Sequence, residues 1–244
     1  MIKTAPINTA MVMAAGHGTR MRPLTNDRSK AMVEVARRPL IDHMLDRLER
    51  VGVERAVVNV HAHADHLEAH LAKRKTGPEI IISNEREELL ETGGGVVKAL
   101  PLLGDDPIFI CNIDAIWYPF EPVLESLTNR WNPKVMDELL LCARADWSLG
   151  YAGKGDFNIH DDNRLTRRDG ESANHVYAGV QIFKPALAKP FKIERFSRNK
   201  IWDETLKRRK LFGTELPGYW MHVGDPRAVI AAEAVLKEAH NAPA

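Results

Sequence analysis

Cysteine is scarce in this chain of 244 residues, where Cys111 and Cys142 are the only two. Two thiols exclude a disulfide framework or a zinc ribbon and fit small core residues in a reducing compartment. Long hydrophobic runs are missing, since none approaches the ~20 residues that a membrane helix needs. The apolar stretch over 9–15, behind Lys3, leads into a basic glycine loop and not into a cleavage site, so it does not read as a signal peptide. An excess of either charge is missing too, with 34 Lys and Arg against 33 Asp and Glu. Such a balance excludes a strongly basic nucleic-acid binder but leaves room for a local pocket for small anions. Internal repeats, low-complexity tracts and linkers are absent. With 44% hydrophobic and 27% charged residues, what is left is ordinary globular composition. The chain is expected in the cytoplasm as one domain over 1–244, with no nucleic-acid or membrane partner. No pattern speaks to its oligomeric state.

What the sequence does have is alternation. The apolar run over 10–15 ends at Gly16 and suits a strand buried on both faces. Residues 39–51 place Leu40, Ile41, Met44, Leu45 and Leu48 at helical spacing between a starting Pro39 and a closing Gly52. Further strands are predicted over 55–61, 79–84 and 107–114, and helices over 64–74 and 94–103. This order implies a Rossmann-like α/β fold, a mainly parallel sheet flanked by helices. The second half changes character. Residues 157–160 and 164–167 read as a hairpin, 176–183 as a strand, and 201–209 and 226–239 as helices. The last helix is expected to turn Val229, Ile230, Ala234 and Val235 inward. Residues in the range of about 146–215 are expected to form a small β-rich portion that covers a ligand.

The loop from Gly16 to Thr25 (Gly-His-Gly-Thr-Arg-Met-Arg-Pro-Leu-Thr), followed by Ser29 and Lys30, sits at the carboxyl end of the first strand. Open α/β sheets bind ligands there. Glycines let backbone N–H groups approach phosphate oxygens, and Arg20, Arg22 and Lys30 add positive charge. The loop is neither a P-loop, which needs Gly-x4-Gly-Lys-Ser/Thr, nor a dinucleotide fingerprint, because Met21 stands at the third glycine position. Its simpler reading is a tight turn with solvated charges. Asp114 ends the fourth predicted strand and faces the same crevice, where a carboxylate with phosphate oxygens suits Mg²⁺, or where it could cap the next segment. Glu91-Thr-Gly-Gly-Gly95 follows the third strand and opens a helix whose start would not need three glycines, which points to close approach of a base or a sugar, with a flexible turn as the simpler reading.

Residues 14–20 (Ala-Ala-Gly-x-Gly-Thr-Arg), Pro23-Leu-Thr25 and Lys30 resemble the signature of the sugar-1-phosphate nucleotidyltransferases. The likeness continues through Pro39-Leu40-Ile41, Glu91–Gly95 and Asn112-Ile-Asp114 over most of the chain. Glu91–Gly95 and the run over 153–157 look most similar to the bacterial N-acetylmuramate-1-phosphate uridylyltransferases of cell-wall recycling, with mannose-1-phosphate guanylyltransferases as the near rival. Lys30-Ala31 stands where the family usually has Lys-Pro. The resemblance implies transfer of a nucleotidyl group from a nucleoside triphosphate, UTP favoured, to a sugar-1-phosphate, N-acetylmuramate-1-phosphate favoured. It implies nucleotide contacts from Ala14, Ala15, Gly16, Gly18, Thr19, Arg20, Glu85, Thr92 and Gly93, and sugar contacts from Asn112, Asp156, Tyr177 and Gly179. Arg20, Lys30 and Asp114 would carry the chemistry, with Mg²⁺ on Asp114. The segment Tyr219–Pro226 resembles the family's Trp-x-Asp-x-Gly-Thr. In that register His222 replaces the second metal aspartate and Asp225 the threonine, which leaves both as metal candidates. Imidazole is a poor ligand for Mg²⁺, and Asp225 could equally cap the helix that Pro226 begins.

Two rivals belong to other classes. His61-Ala-His63-Ala-Asp65-His66 matches the His-x-His-x-Asp-His motif of metallo-β-lactamase-like zinc hydrolases, and three imidazoles with a carboxylate suit zinc. The later histidines, His160, His175 and His222, do not stand in the contexts that class requires. A nucleotide-sugar sensor without catalysis is the other, motivated by His222.

Overall fold

The structure, a computed structural model, describes residues 6–119 and 122–241. Its elements follow in chain order as β1 (Thr9–Met13), β2 (Glu34–Val35), β3 (Arg38–Pro39), α1 (Leu40–Arg50), β4 (Arg55–Val60), α2 (Ala64–Leu71), β5 (Glu79–Asn84), α3 (Glu91–Leu103), β6 (Ile108–Asn112), β7 (Ala115–Tyr118), α4 (Val123–Arg130) and β8 (Glu138–Arg144). The second half adds β9 (Ser148–Leu149), the hairpin β10 (Phe157–Ile159) and β11 (Leu165–Arg167), β12 (His175–Phe183), α5 (Asn199–Lys207), β13 (Leu211–Glu215), β14 (Tyr219–His222) and α6 (Pro226–Asn241).

The main sheet runs β5-β4-β1-β6-β12-β8-β13. Only β12 in that row is antiparallel to its neighbours, so the predicted mainly parallel α/β sheet is what the chain forms. Alternation along the strands feeds both faces. Ala10 and Val12 point into one core with α1, α2 and α6, whereas Met11 joins Val96, Val97 and Ile201 under α3 and α5. Both cysteines are buried and free, and burial pushes the Cys111 thiol up to about 12, which suits inert core packing.

Two expectations need correction. In α6 Val229, Ala232 and Leu236 are buried and Val235 packs half-buried against the same core, while Ile230 is 69% exposed and Ala234 is exposed. The helix rests on the sheet through a narrower stripe than its composition suggests. The helix expected from Gly94 begins at Glu91, so the glycine triplet lies inside its first turn and not ahead of it. A second sheet, β7-β14-β9, was not anticipated. It matters because it returns the chain to the crevice, with His222 opposite Ala115, the residue after Asp114.

Under α5 lies a buried polar network. Glu138, fully buried, accepts from Gln181 Nε2 at 2.6 Å and from Thr205 Oγ1 at 2.7 Å, and Trp202 Nε1 donates to Gln181 Oε1 at 3.1 Å. Burial raises the Glu138 carboxyl to about 7, against the pull of those donors and of Arg198. A carboxyl raised on folding holds its proton longer in the native state than in the unfolded chain. Its contribution is therefore neutral in acid and becomes unfavourable as pH rises from the unfolded value through about 7. Glu138→Gln should erase this slope: chemical denaturation of wild type and variant, compared from pH 5 to pH 8, should favour the variant increasingly toward pH 8. A difference that stays flat would contradict the burial argument.

Candidate active site

β1 delivers the chain into the predicted glycine loop at the carboxyl edge of the sheet. The first two loop amides are already occupied. Ala14 N–H donates to Asn59 Oδ1 at 2.7 Å and Ala15 N–H to the same oxygen at 3.3 Å. Asn59, on the neighbouring strand β4, is fixed in turn by Glu85, whose Oε1 accepts Asn59 Nδ2 at 2.7 Å. Glu85 is fully buried, and its Oε2 accepts Leu90 N–H at 3.1 Å. Glu85 and the Ala14 and Ala15 amides thus clamp the loop to the sheet, while Ala14 and Ala15 also line the cavity described below.

Past the clamp the loop is open. A Cβ at Gly16 would meet nothing within 4 Å, so the fold itself does not require glycine there, whereas an approaching ligand would. Gly18 is required locally. Its φ is +63°, and a Cβ would lie 3.0 Å from both Lys30 Cβ and Thr25 Cγ2. Thr25 Oγ1 donates to Gly18 O at 2.8 Å, so this contact seats Lys30 behind the loop. Thr19 and Arg20 follow in a short 3-10 turn, both exposed.

Lys30, Asp114 and His222 converge. Lys30 Nζ lies 2.5 Å from Asp114 Oδ2, and His222 Nε2 lies 3.3 Å from the same oxygen. Burial on its own would raise the Asp114 carboxyl, but the Lys30 ammonium and the His222 ring beside it outweigh that effect and hold the group well below the usual carboxylate range. Asp225 is not brought to this cluster by any contact. Its Oδ1 accepts Ala228 N–H at 2.9 Å, and its carbonyl accepts Val229 N–H, so it caps α6. A cavity of about 410 Å³ joins the pieces and is lined by Ala14, Gly16, Lys30, Thr92, Asn112 and Asp114 among others. Ser197 also lines it. Nothing in the sequence pointed to Ser197, because it sits in an irregular segment before α5. Asn112 Oδ1 is buried without a protein partner.

The glycine triplet has a protein partner. A Cβ on Gly93 would lie 2.3 Å from the Phe196 ring, one on Gly94 2.0 Å from Glu194 O, and one on Gly95 2.7 Å from Glu85 Oε1. Gly93 and Gly94 N–H both donate to Phe196 O, and Arg198 N–H donates to Thr92 Oγ1 at 2.9 Å. At Gly93 and Gly94 the strap 194–198 makes the close approach, and it carries Ser197 into the cavity. Because the Glu194 carbonyl cannot yield without moving that backbone, Gly94→Ala should cost about 1–3 kcal/mol and raise the KM for nucleotide. Unchanged melting and KM would contradict the strap's role.

Three of the residues expected on the sugar side also make local structural contacts. Asp156 Oδ2 accepts Tyr177 N–H at 3.0 Å, where β12 and β8 shift register. Gly179 has φ +89°, and a Cβ would press on Ala115 Cβ at 2.7 Å. Tyr177 packs edge-on to Trp202, ring centroids 4.9 Å apart. The zinc motif falls apart in space. His61 Nδ1 faces Glu85 O at 2.7 Å, His63 is the left-handed residue before α2, Asp65 pairs with Arg86, and His66 is exposed. Among the described residues no group of three or more His, Cys, Asp or Glu is placed to hold a metal ion.

The family model for nucleotidyl transferases matches residues 9–137, which span the glycine loop, Lys30 and Asp114. The chain belongs to the nucleotidyl transferase family. It is 48% identical over 235 residues to the N-acetylmuramate alpha-1-phosphate uridylyltransferase of Caulobacter vibrioides, covering 94% of this chain and 97% of that protein. It is 26% identical to the mannose-1-phosphate guanylyltransferase catalytic subunit beta of Drosophila melanogaster, of which it spans 60%. Among solved structures, a UDP-glucose pyrophosphorylase complexed with UDP-glucose matches with TM-score 0.78 at 15% identity, over 96% of this chain and 99% of that one. The inositol-1-phosphate CTP transferase of T. maritima matches with TM-score 0.74 at 18% identity, over 96% and 98%. At those identities the likeness speaks for the fold.

Nucleotidyl transferases generally use a divalent metal, and the donor set fits one that arrives with substrate. Asp114 and His222 are too few to hold a resident ion, but carboxylate plus substrate phosphates is how such cations commonly sit at phosphoryl-transfer sites. No helix among the described residues is long and apolar enough to cross a membrane.

Proposed function

We propose that this nucleotidyl transferase moves a uridylyl group from UTP to the phosphate of N-acetylmuramate α-1-phosphate, releasing pyrophosphate. The observation that carries the choice is the 48% identity, nearly end to end, with a uridylyltransferase of that name. The acceptor phosphate is largely a dianion near neutral pH and needs no general base. One of its oxygens attacks the α-phosphorus of UTP, and the bond from that phosphorus to the bridging oxygen breaks as pyrophosphate leaves. The obstacle is repulsion between anions, so positioning and charge supply the rate. Gly16 leaves space for the phosphates. Arg20, exposed beside them, meets the departing pyrophosphate, and Lys30 exchanges Asp114 for the reacting phosphates. Asp114 would hold a divalent cation, Mg²⁺ in the simplest case, whose contribution is charge neutralisation across the phosphates. Asn112 offers its unpartnered Oδ1 to the sugar, which the portion over residues 146–215 would cover. With these substrates the enzyme would act in the cytoplasm, in the reuse of cell-wall sugars.

The test is a matrix of UTP, GTP, dTTP, CTP and ATP against N-acetylmuramate-, N-acetylglucosamine-, glucose- and mannose-1-phosphate, read as pyrophosphate release. The proposal expects the highest kcat/KM for UTP with N-acetylmuramate-1-phosphate. A maximum at GTP with mannose-1-phosphate would refute it.

A further inference from the structure

Arg198 ends the strap that borders the cavity. It is 3% exposed, yet its Nε and Nη1 are buried without a hydrogen-bond partner. A guanidinium stays charged in proteins and can only donate. Buried charges are normally paired, because an unpaired one keeps its full desolvation cost. The buried acid on this side of the sheet, Glu138, does not supply the pair. Its Oε2 accepts from Gln181 and its Oε1 from Thr205. Burial also leaves its carboxyl at about 7, so it is only a partial counter-charge near neutral pH.

Rings hold the guanidinium instead. Its Cζ lies 5.1 Å from the ring centroids of both Tyr177 and Trp202. Such contacts attract the cation but do not satisfy its N–H groups. Tyr177 Oη is buried without a hydrogen-bond partner as well, which adds an O–H donor to the N–H donors. This cluster stands one residue behind the cavity wall. Arg198 N–H donates to Thr92 Oγ1 at 2.9 Å, and both Thr92 and Ser197 line the cavity. A Cβ on Gly179, two residues past Tyr177, would lie 3.4 Å from Asn112 Cβ, and Asn112 lines the same cavity. The unsatisfied donors therefore lie on the side given to the sugar.

We infer that Arg198, together with the Tyr177 hydroxyl, binds a carboxylate of the acceptor sugar and thereby selects an acidic sugar-1-phosphate over a neutral one. The inference rests on the uridylyl-transfer reading. Its acceptor, N-acetylmuramate-1-phosphate, carries a carboxylate on a lactyl ether where N-acetylglucosamine-1-phosphate has a hydroxyl. The acceptor's phosphate belongs with Lys30 at the reacting end, so the carboxylate is the anion left to be matched. A guanidinium forks onto a carboxylate through two N–H bonds, and away from bulk water such a pair is strengthened.

The experiment compares two ligands on the full chain with Mg²⁺ by calorimetry. One is UDP-N-acetylmuramate, and the other is the same molecule with a carboxamide in place of the lactyl carboxylate. The wild type should bind the acid on the order of 30-fold more tightly than the amide. Arg198→Met, which keeps much of the side-chain volume, should shrink that preference to about threefold or less. Arg198→Lys keeps the charge without the fork and should leave an intermediate preference, which tests the assignment even if the methionine variant does not fold. A guanidinium with a packing role alone would change both affinities together and leave their ratio alone. Equal binding of acid and amide by the wild type, or a preference that survives in Arg198→Met, overturns the assignment and leaves the transferase reading standing. Failure of UDP-N-acetylmuramate to bind where GDP-mannose does overturns both.

Discussion

Asp114→Asn should lower kcat on the order of 10³-fold or more while leaving the chain folded. Asp114 stands just past β6 and lines the cavity, with Lys30 and His222 against it. An amide keeps the size and one acceptor oxygen but removes the charge that balances Lys30 and would hold the cation. The nucleotide should still enter, because the loop, Arg20 and the cavity wall at Thr92 are untouched. The loss should therefore appear in kcat more than in nucleotide affinity. Steady-state kinetics with an independent binding titration separates the two. A loss under tenfold would mean that the charge on Asp114 is not where the reaction is stabilised.

The second large effect is on the clamp. Asn59→Ala removes the acceptor for two loop amides and the donor to Glu85 at one stroke. All of these groups lie in the buried interior, so each is left unsatisfied. Together with the cavity, the cost should be about 3–4 kcal/mol. Nucleotide KM should rise as well, because the open half of the loop begins where the clamp ends. Asn59→Asp gives a sharper comparison: it keeps the acceptor for Ala14 and Ala15 but sets a second carboxylate against Glu85. It should destabilise too, with the deficit shrinking in acid as a shared proton bridges the two. If Asn59→Ala melts like wild type, Glu85 is free for nucleotide and the clamp is wrong.

What could be read in advance was local. Strands such as Arg55–Val60 and Glu79–Asn84 announce themselves by short apolar runs, and the order of elements then dictates a parallel sheet with its site at the carboxyl edge. Lys30 and Asp114 follow from that edge, as does the open Gly16. What escaped was set by partners distant in the chain. Gly93 and Gly94 do meet a close approach, but from Phe196 and Glu194, about a hundred residues on, and no spacing rule links them. The hydrogen bond between Glu85 and Asn59 joins two strands' ends that no local pattern pairs. The meeting of His222 with Asp114 depends on β14 returning beside β7 in a small second sheet, built from strands too short to show a period.

The most direct test of the central claim identifies the product itself. The enzyme would be given equimolar UTP and GTP, equimolar N-acetylmuramate-1-phosphate and mannose-1-phosphate, and a divalent cation. The mixture would be resolved by mass spectrometry and ³¹P NMR. The account predicts UDP-N-acetylmuramate as the dominant nucleotide sugar, with one pyrophosphate for each molecule formed. GDP-mannose as the dominant product, or nucleotide turnover with no sugar diphosphate at all, would contradict it.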